Sequence, residues 1–190
     1  DIDGDIAFTA AGGDITSTTA TPTAAGAGFS DAASQTMYVE KRNGEIVTTI
    51  LVDIAGLRDS GTEKDIIGDD GEGAAYMTRI TTAVNGIIYK AEMSCVKIPA
   101  NGNLDIDLVT SSDSLAENAL YDSGTTEVAL IPATANWTAG MTRRSADGLD
   151  CTNISANSHY VYLANGAGAT GDLPYTAGKF IIKLYGTADF

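Results

Sequence analysis

Runs of β-branched and aromatic residues broken by Asn-Gly pairs constrain this chain more than any other feature. Met37-Tyr38-Val39-Glu40-Lys41-Arg42 leads through Asn43-Gly44 into a second run from Glu45 to Ile54. Both turn residues tolerate the positive φ that a two-residue hairpin needs, so a hairpin is expected here. Ala75 to Ile80, Asn85-Gly86 and Ile87 to Ile98 repeat the arrangement and predict a second hairpin, stopped at Pro99 and Asn101-Gly102. Leu104-Asp105-Ile106-Asp107-Leu108 alternates strictly, which predicts a strand with one apolar and one carboxylate face.

Further strand signals follow at Thr126 to Ile131 and His159 to Ala164, and the run Lys179 to Gly186 is apolar enough to be central in a sheet. Between them, Ser112 to Leu120 offers cap residues followed by Leu115, Ala119 and Leu120 at helical spacing, which predicts one short helix. Arg58 to Gly73 collects Ser60-Gly61, Gly68-Asp69-Asp70-Gly71 and Gly73, and reads as a long polar surface loop. No period of 20 to 50 residues is present, which removes propellers and solenoids. About eight strands with Gly-rich turns predict an all-β, jelly-roll-like β-sandwich over residues 37–190.

Residues 1–36 differ. Ala10-Ala11-Gly12-Gly13, Thr16 to Thr21 and Ala24-Ala25-Gly26-Ala27-Gly28 hold few large apolar groups, so this segment reads as an extended N-terminal arm that orders on neighbouring subunits. Within it, Ile6, Phe8 and Phe29 are the expected contacts, with Trp137 and Arg143 as secondary interface candidates.

Charge excludes more than it identifies. With 11 Lys and Arg against 25 Asp and Glu, the 190 residues carry a formal −14, a field that repels nucleic acid and anionic membranes alike. No apolar run approaches the ~18 residues of a membrane span, and the start Asp1-Ile2-Asp3-Gly4-Asp5 lacks the basic region of a signal peptide. Cys95 and Cys151 are too distant for a CxxC motif and either pair once or stay buried and free, which leaves the compartment open.

No constellation of catalytic residues stands out, and no enzyme activity is expected. His159 is the sole histidine and no GxSxG turn accompanies it, so a hydrogen-bonded structural histidine is the plainer reading. Asp105 and Asp107 make a carboxylate pair of a kind that any acidic strand face supplies. One His with two distant Cys builds no zinc site. Asp69, Asp70 and Glu72, and the alternating Asp1, Asp3 and Asp5, are weak calcium candidates that complete no calcium loop, so neither metal nor cofactor is expected. Asn136-Trp137-Thr138 and Asn153-Ile154-Ser155 fit the glycosylation pattern, which matters only in a secretory setting.

A small jelly roll behind an Ala/Thr/Gly-rich arm, closed by Lys179-Phe180-Ile181-Ile182-Lys183-Leu184-Tyr185-Gly186, resembles the capsid decoration (cement) proteins of tailed bacteriophages in overall layout. The resemblance implies a virion protein on the outer capsid surface, often trimeric, that binds the major capsid protein and stiffens the shell. It carries over no functional residue by position. Two other readings compete. A secreted carbohydrate-binding module would stack sugars on Trp137, Tyr160 and Tyr162, with calcium at Asp69 and Asp70. A filament subunit would complete its neighbour's sheet with its arm, although residues 9–28 lack an alternating apolar strand.

Overall fold

Asn43 and Gly44 close the first hairpin with φ of 47° and 83°, the pair of positive values expected of the turn. The computed structural model describes residues 21–122, 127–132, 135–167 and 171–188. The hairpin joins β1 (Ser34–Arg42) to β2 (Glu45–Asp53), with Arg42 opposite Glu45. After them come β3 (Arg58–Ser60), β4 (Thr78–Arg79), β5 (Ile87–Ala100), β6 (Ile106–Ser111), β7 (Val128–Ile131), β8 (Thr142–Arg144), β9 (Tyr160–Asn165), β10 (Asp172–Pro174) and β11 (Ala177–Thr187).

One sheet has the order β1-β2-β11-β5-β8, the other β4-β9-β6-β7, and β10 and β3 form a small ribbon. Setting aside β1 and the ribbon leaves eight strands, β2, β4, β5, β6, β7, β8, β9 and β11. Taken in chain order they pair first with last, second with seventh, third with sixth and fourth with fifth, each antiparallel. That nesting is one long folded ribbon rolled into two layers. The expected jelly-roll sandwich is therefore the observed fold, with β1 added at an edge.

The core between the layers follows from alternation. Ile50 and Val52 of β2, Phe180, Ile182 and Leu184 of β11, and Met93 of β5 meet Leu108, Leu130 and Leu163 from the opposite sheet. Each such side chain removed from water contributes about 1.5–3 kcal/mol. As expected, β11 is central, held between β2 and β5.

Four expectations are corrected. Asn85-Gly86 closes no hairpin: Thr81 Oγ1 accepts the Val84 amide and caps a helical turn, α2 (Thr82–Asn85), and β4 pairs with β9 instead of β5. The helix expected over Ser112–Leu120 does not form. Asn118 sits at φ 62°, and Ala116 and Leu120 form isolated bridges to Ala74 and Asp65. The described helices are instead α1 (Ala27–Ser30), α2 and α3 (Thr152–Ala156). The Arg58–Gly73 stretch is not wholly superficial, because Ile66 and Ile67 are fully buried. Nor does β6 show a solvated carboxylate face, since all six of its residues are buried and so is neighbouring Asp105.

The Ala/Gly-rich composition of residues 24–28 has a packing cause. Gly26 and Gly28 donate their amides to the carbonyls of Tyr76 and Ala74, both at 3.0 Å. A Cβ on Gly28 would lie 2.4 Å from the Gly73 carbonyl oxygen, and one on Gly26 2.1 Å from that of Ala74. Residues 24–28 thus run close against 74–76, and Phe29 fills the core of its own chain. Gly28→Ala is expected to lower unfolding free energy in urea titration by about 1–3 kcal/mol through overpacking. A segment free to dock elsewhere would show no change.

Candidate functional site

The two sheets differ on their outer sides. Over the four-stranded sheet lies a second apolar cluster in which Val109, Tyr162 and Ala164 pack under Ile66, Tyr121 and Leu115. The Tyr162 hydroxyl donates to the Asp113 carbonyl at 2.7 Å and accepts the Leu115 amide at 2.9 Å, fastening residues 112–122 as a roof. That sheet is therefore buried on both faces. Among the described residues, the outer face of the five-stranded sheet has no such cover.

Six of the eight exposed large hydrophobic side chains among the described residues lie on its strands: Tyr38, Leu51, Ile87, Tyr89, Val96 and Ile98. Leu51 stands beside Ile181 across the β2–β11 ladder, and both line a shallow trough of about 360 Å³ with Thr36 and Val96. Val96 is 55% exposed, the most open of the six.

Beside the trough is a polar lattice. Glu92 accepts from Lys90 Nζ at 2.9 Å and Arg144 Nε at 2.7 Å on one oxygen, and from the Tyr185 hydroxyl at 2.7 Å on the other. The Lys90 hydrogen bond, with those of Tyr185 and Arg144, holds the Glu92 carboxyl down to about 2. The Tyr89 hydroxyl donates to Glu45 at 2.6 Å, which pushes that phenol up to about 12. Lys90 also sits 4.5 Å above the Tyr185 ring. These contacts fix the side chains in place and leave a mixed apolar and charged surface.

The interface candidates fall differently. Ile6 and Phe8 lie outside the described residues, as do Asp1, Asp3 and Asp5. Phe29 and Trp137 are buried within the chain, at 0% and 1% exposure, so neither presents a contact surface. The Trp137 indole donates to the Ile106 carbonyl at 2.8 Å and packs edge-on against Phe180. Arg143 lies 4.4 Å over the Trp137 ring, donates to the Ala135 carbonyl at 2.6 Å and faces buried Asp105 at 3.9 Å. It locks a loop to its own core instead of reaching outward.

With Trp137 and Tyr162 buried, the aromatic sugar platform is absent. Tyr160, half-buried, is taken up by Tyr76 and by Arg79 above its ring. Asp70 and Glu72 are exposed turn residues beside half-buried Asp69, and among the described residues no group of three or more Asp, Glu, His or Cys is placed to hold a metal ion. His159 is fully buried with Nδ1 3.1 Å from Thr110 Oγ1, and burial lowers its pKa. Cys95 and Cys151 are both buried and free. Of the two sequons, Asn136 is exposed next to buried Trp137.

Sequence reading passed over the uncovered face. Its signal was present: Ile50-Leu51-Val52 and Phe180-Ile181-Ile182 are apolar at consecutive positions, so one of each trio must leave the core side. Comparison with protein-family models, curated proteins and solved structures finds no match to this chain.

Glu92→Gln tests whether the lattice stiffens the face. Glu92 has a folded pKa near 2 against 4.5 unfolded, so its stabilisation is complete above pH 4.5 and is lost as pH falls towards 2. Solvent screening holds it to about 1 kcal/mol. Urea titrations of Glu92→Gln and wild type are expected to differ by that amount at pH 7 and to converge by pH 2.

Proposed function

We propose that this chain is a non-enzymatic virion structural protein that decorates and stabilises a capsid. It binds the major capsid protein and neighbouring copies of itself on the outer capsid surface. The observation that carries this reading is the outer side of the five-stranded sheet, which no described segment covers and whose strands hold six exposed large apolar side chains. A monomer keeps such patches small unless something docks on them.

Three further features support it. The trough is open and shallow, unlike the enclosed, mostly apolar pockets that bury a small ligand. The sole histidine is buried against Thr110 and does not face solvent. A rolled sandwich with nested strand pairs is a stiff block, suited to resisting deformation of a shell.

The test is immunogold electron microscopy of intact, nuclease-treated virions from the source culture, using antibody raised against the purified chain. Regular labelling of the capsid exterior is the expected result. Unlabelled virions, with the antigen confined to the secreted or cell-surface fraction, would sink the proposal.

A further inference from the structure

The charge of this molecule is divided between its two sides. Eight of the 11 Lys and Arg lie on the strands of the five-stranded sheet, but only four of the 25 Asp and Glu do. Those strands therefore carry +4, and the rest of the chain carries −18 of the total −14. Arg143 is turned inward to Asp105 and Lys41 stands opposite buried Ile46, so the outer side is less basic than the strands as a whole; exposed Lys97 and half-buried Lys183 enter no ion pair among the described residues.

The acidic counterpart is on the opposite side of the sandwich. Residues 58–75 and 112–122 edge and roof the four-stranded sheet, and they hold nine Asp and Glu against two cations, Arg58 and Lys64. Glu63, Asp70, Glu72, Asp113 and Asp122 are exposed there. Lys64 is paired with Asp122 and Arg58 with Asp172, which leaves the roof strongly negative. Its apolar residues are mostly turned under, though Leu120 is 44% exposed at the surface.

We infer that the uncovered basic face of the five-stranded sheet docks the acidic roof of a second copy of this chain, head to tail. The inference rests on reading the chain as an assembly subunit and names one of its partners. Each copy supplies both halves of the contact, so no third component is needed to match the charges. A phosphate backbone is a poorer occupant, because the acidic side chains Glu92 and Glu45 stand in the middle of the cations and Leu51, Val96 and Ile98 require an apolar counterpart. Contacts on opposite faces are heterologous and propagate as a column instead of closing a tight three-fold ring, which separates this arrangement from the trimer implied by the layout resemblance.

Ionic strength has a definite expected signature. Two bodies of −14 repel at long range, but at 0.15 M salt the Debye length is about 8 Å, so only the facing surfaces are felt at contact. Association should be strongest near 0.15 M and weaker both at 0.01 M, where net repulsion extends, and at 1 M, where the local attraction is screened.

The experiment is light scattering and sedimentation velocity of the full chain over a concentration series at these three salt levels. The expected result is a mass rising through multiples of 19.6 kDa with concentration at 0.15 M. Lys97→Glu with Lys183→Glu should weaken association on the order of tenfold. Glu63→Lys with Glu72→Lys should do the same alone, and the two pairs combined in one chain should restore it. Circular dichroism melts of each variant report folding.

A monomer at every concentration overturns the inference, as does an oligomer, trimer included, indifferent to both charge reversals. Should the monomer still label on virions, the capsid role stands and the partner of this face is the shell.

Discussion

Placement of the C-terminal strand between β2 and β5 is the constraint on which the rest of the molecule depends. β11 pairs along nearly its whole length on both sides, from Lys179 opposite Asp53 to Thr187 opposite Glu45 on one, and from Ala177 opposite Ala100 to Thr187 opposite Ile87 on the other. Removing it would open the five-stranded sheet at its middle and uncover Ile50, Met93 and the core beneath them. Since these pairings join residues from 77 positions apart (Ala100 and Ala177) to 142 apart (Glu45 and Thr187), their entropic cost is offset only when both flanking strands and the apolar underside form together.

From that placement the asymmetry of the two layers follows. The chain between β2 and β5 and the chain between β6 and β7 both return over the four-stranded sheet, where they bury Tyr162 and Val109 a second time. No described segment crosses the outer side of the five-stranded sheet, since its strands connect through the Asn43-Gly44 turn or leave for the opposite layer. Leu51, Ile181 and Val96 are consequently uncovered by topology, and no local propensity would have prevented it. The same routing separates charge, because the acidic residues concentrate in the roofing loops and the Lys and Arg residues in the bare strands.

Buried polar groups show how the ends of the sandwich are closed. Asp59 accepts the amides of Asn103 and Gly61, Tyr175 donates to the Asn103 carbonyl at 3.0 Å, and the Gly166 amide reaches the Asp105 carbonyl at 2.8 Å. Burial raises the pKa of both carboxyls, opposed at Asp59 by those amides and at Asp105 by Arg143. Such carboxylates organise backbone turns, which is a structural use for residues that composition alone marks as possible ligands or acids.

Strand identity, the first hairpin and the centrality of β11 were legible in the sequence, because alternation and an Asn-Gly turn act over a few residues and need no distant partner. The helix read into Ser112–Leu120 and the hairpin read into Asn85-Gly86 were not, since tertiary pairing with Ala74, Asp65 and Val161 overrode local preference. Trp137 and Arg143 look like contact residues in a linear chain, and only the folded arrangement turns them onto Phe180 and Asp105. The sequence by itself determined the class of fold and the excess of negative charge, both properties summed over residues. Which apolar strand face is left bare and which surface collects the cations was decided by the tertiary structure, because the route of the connecting loops between layers governs what each face meets.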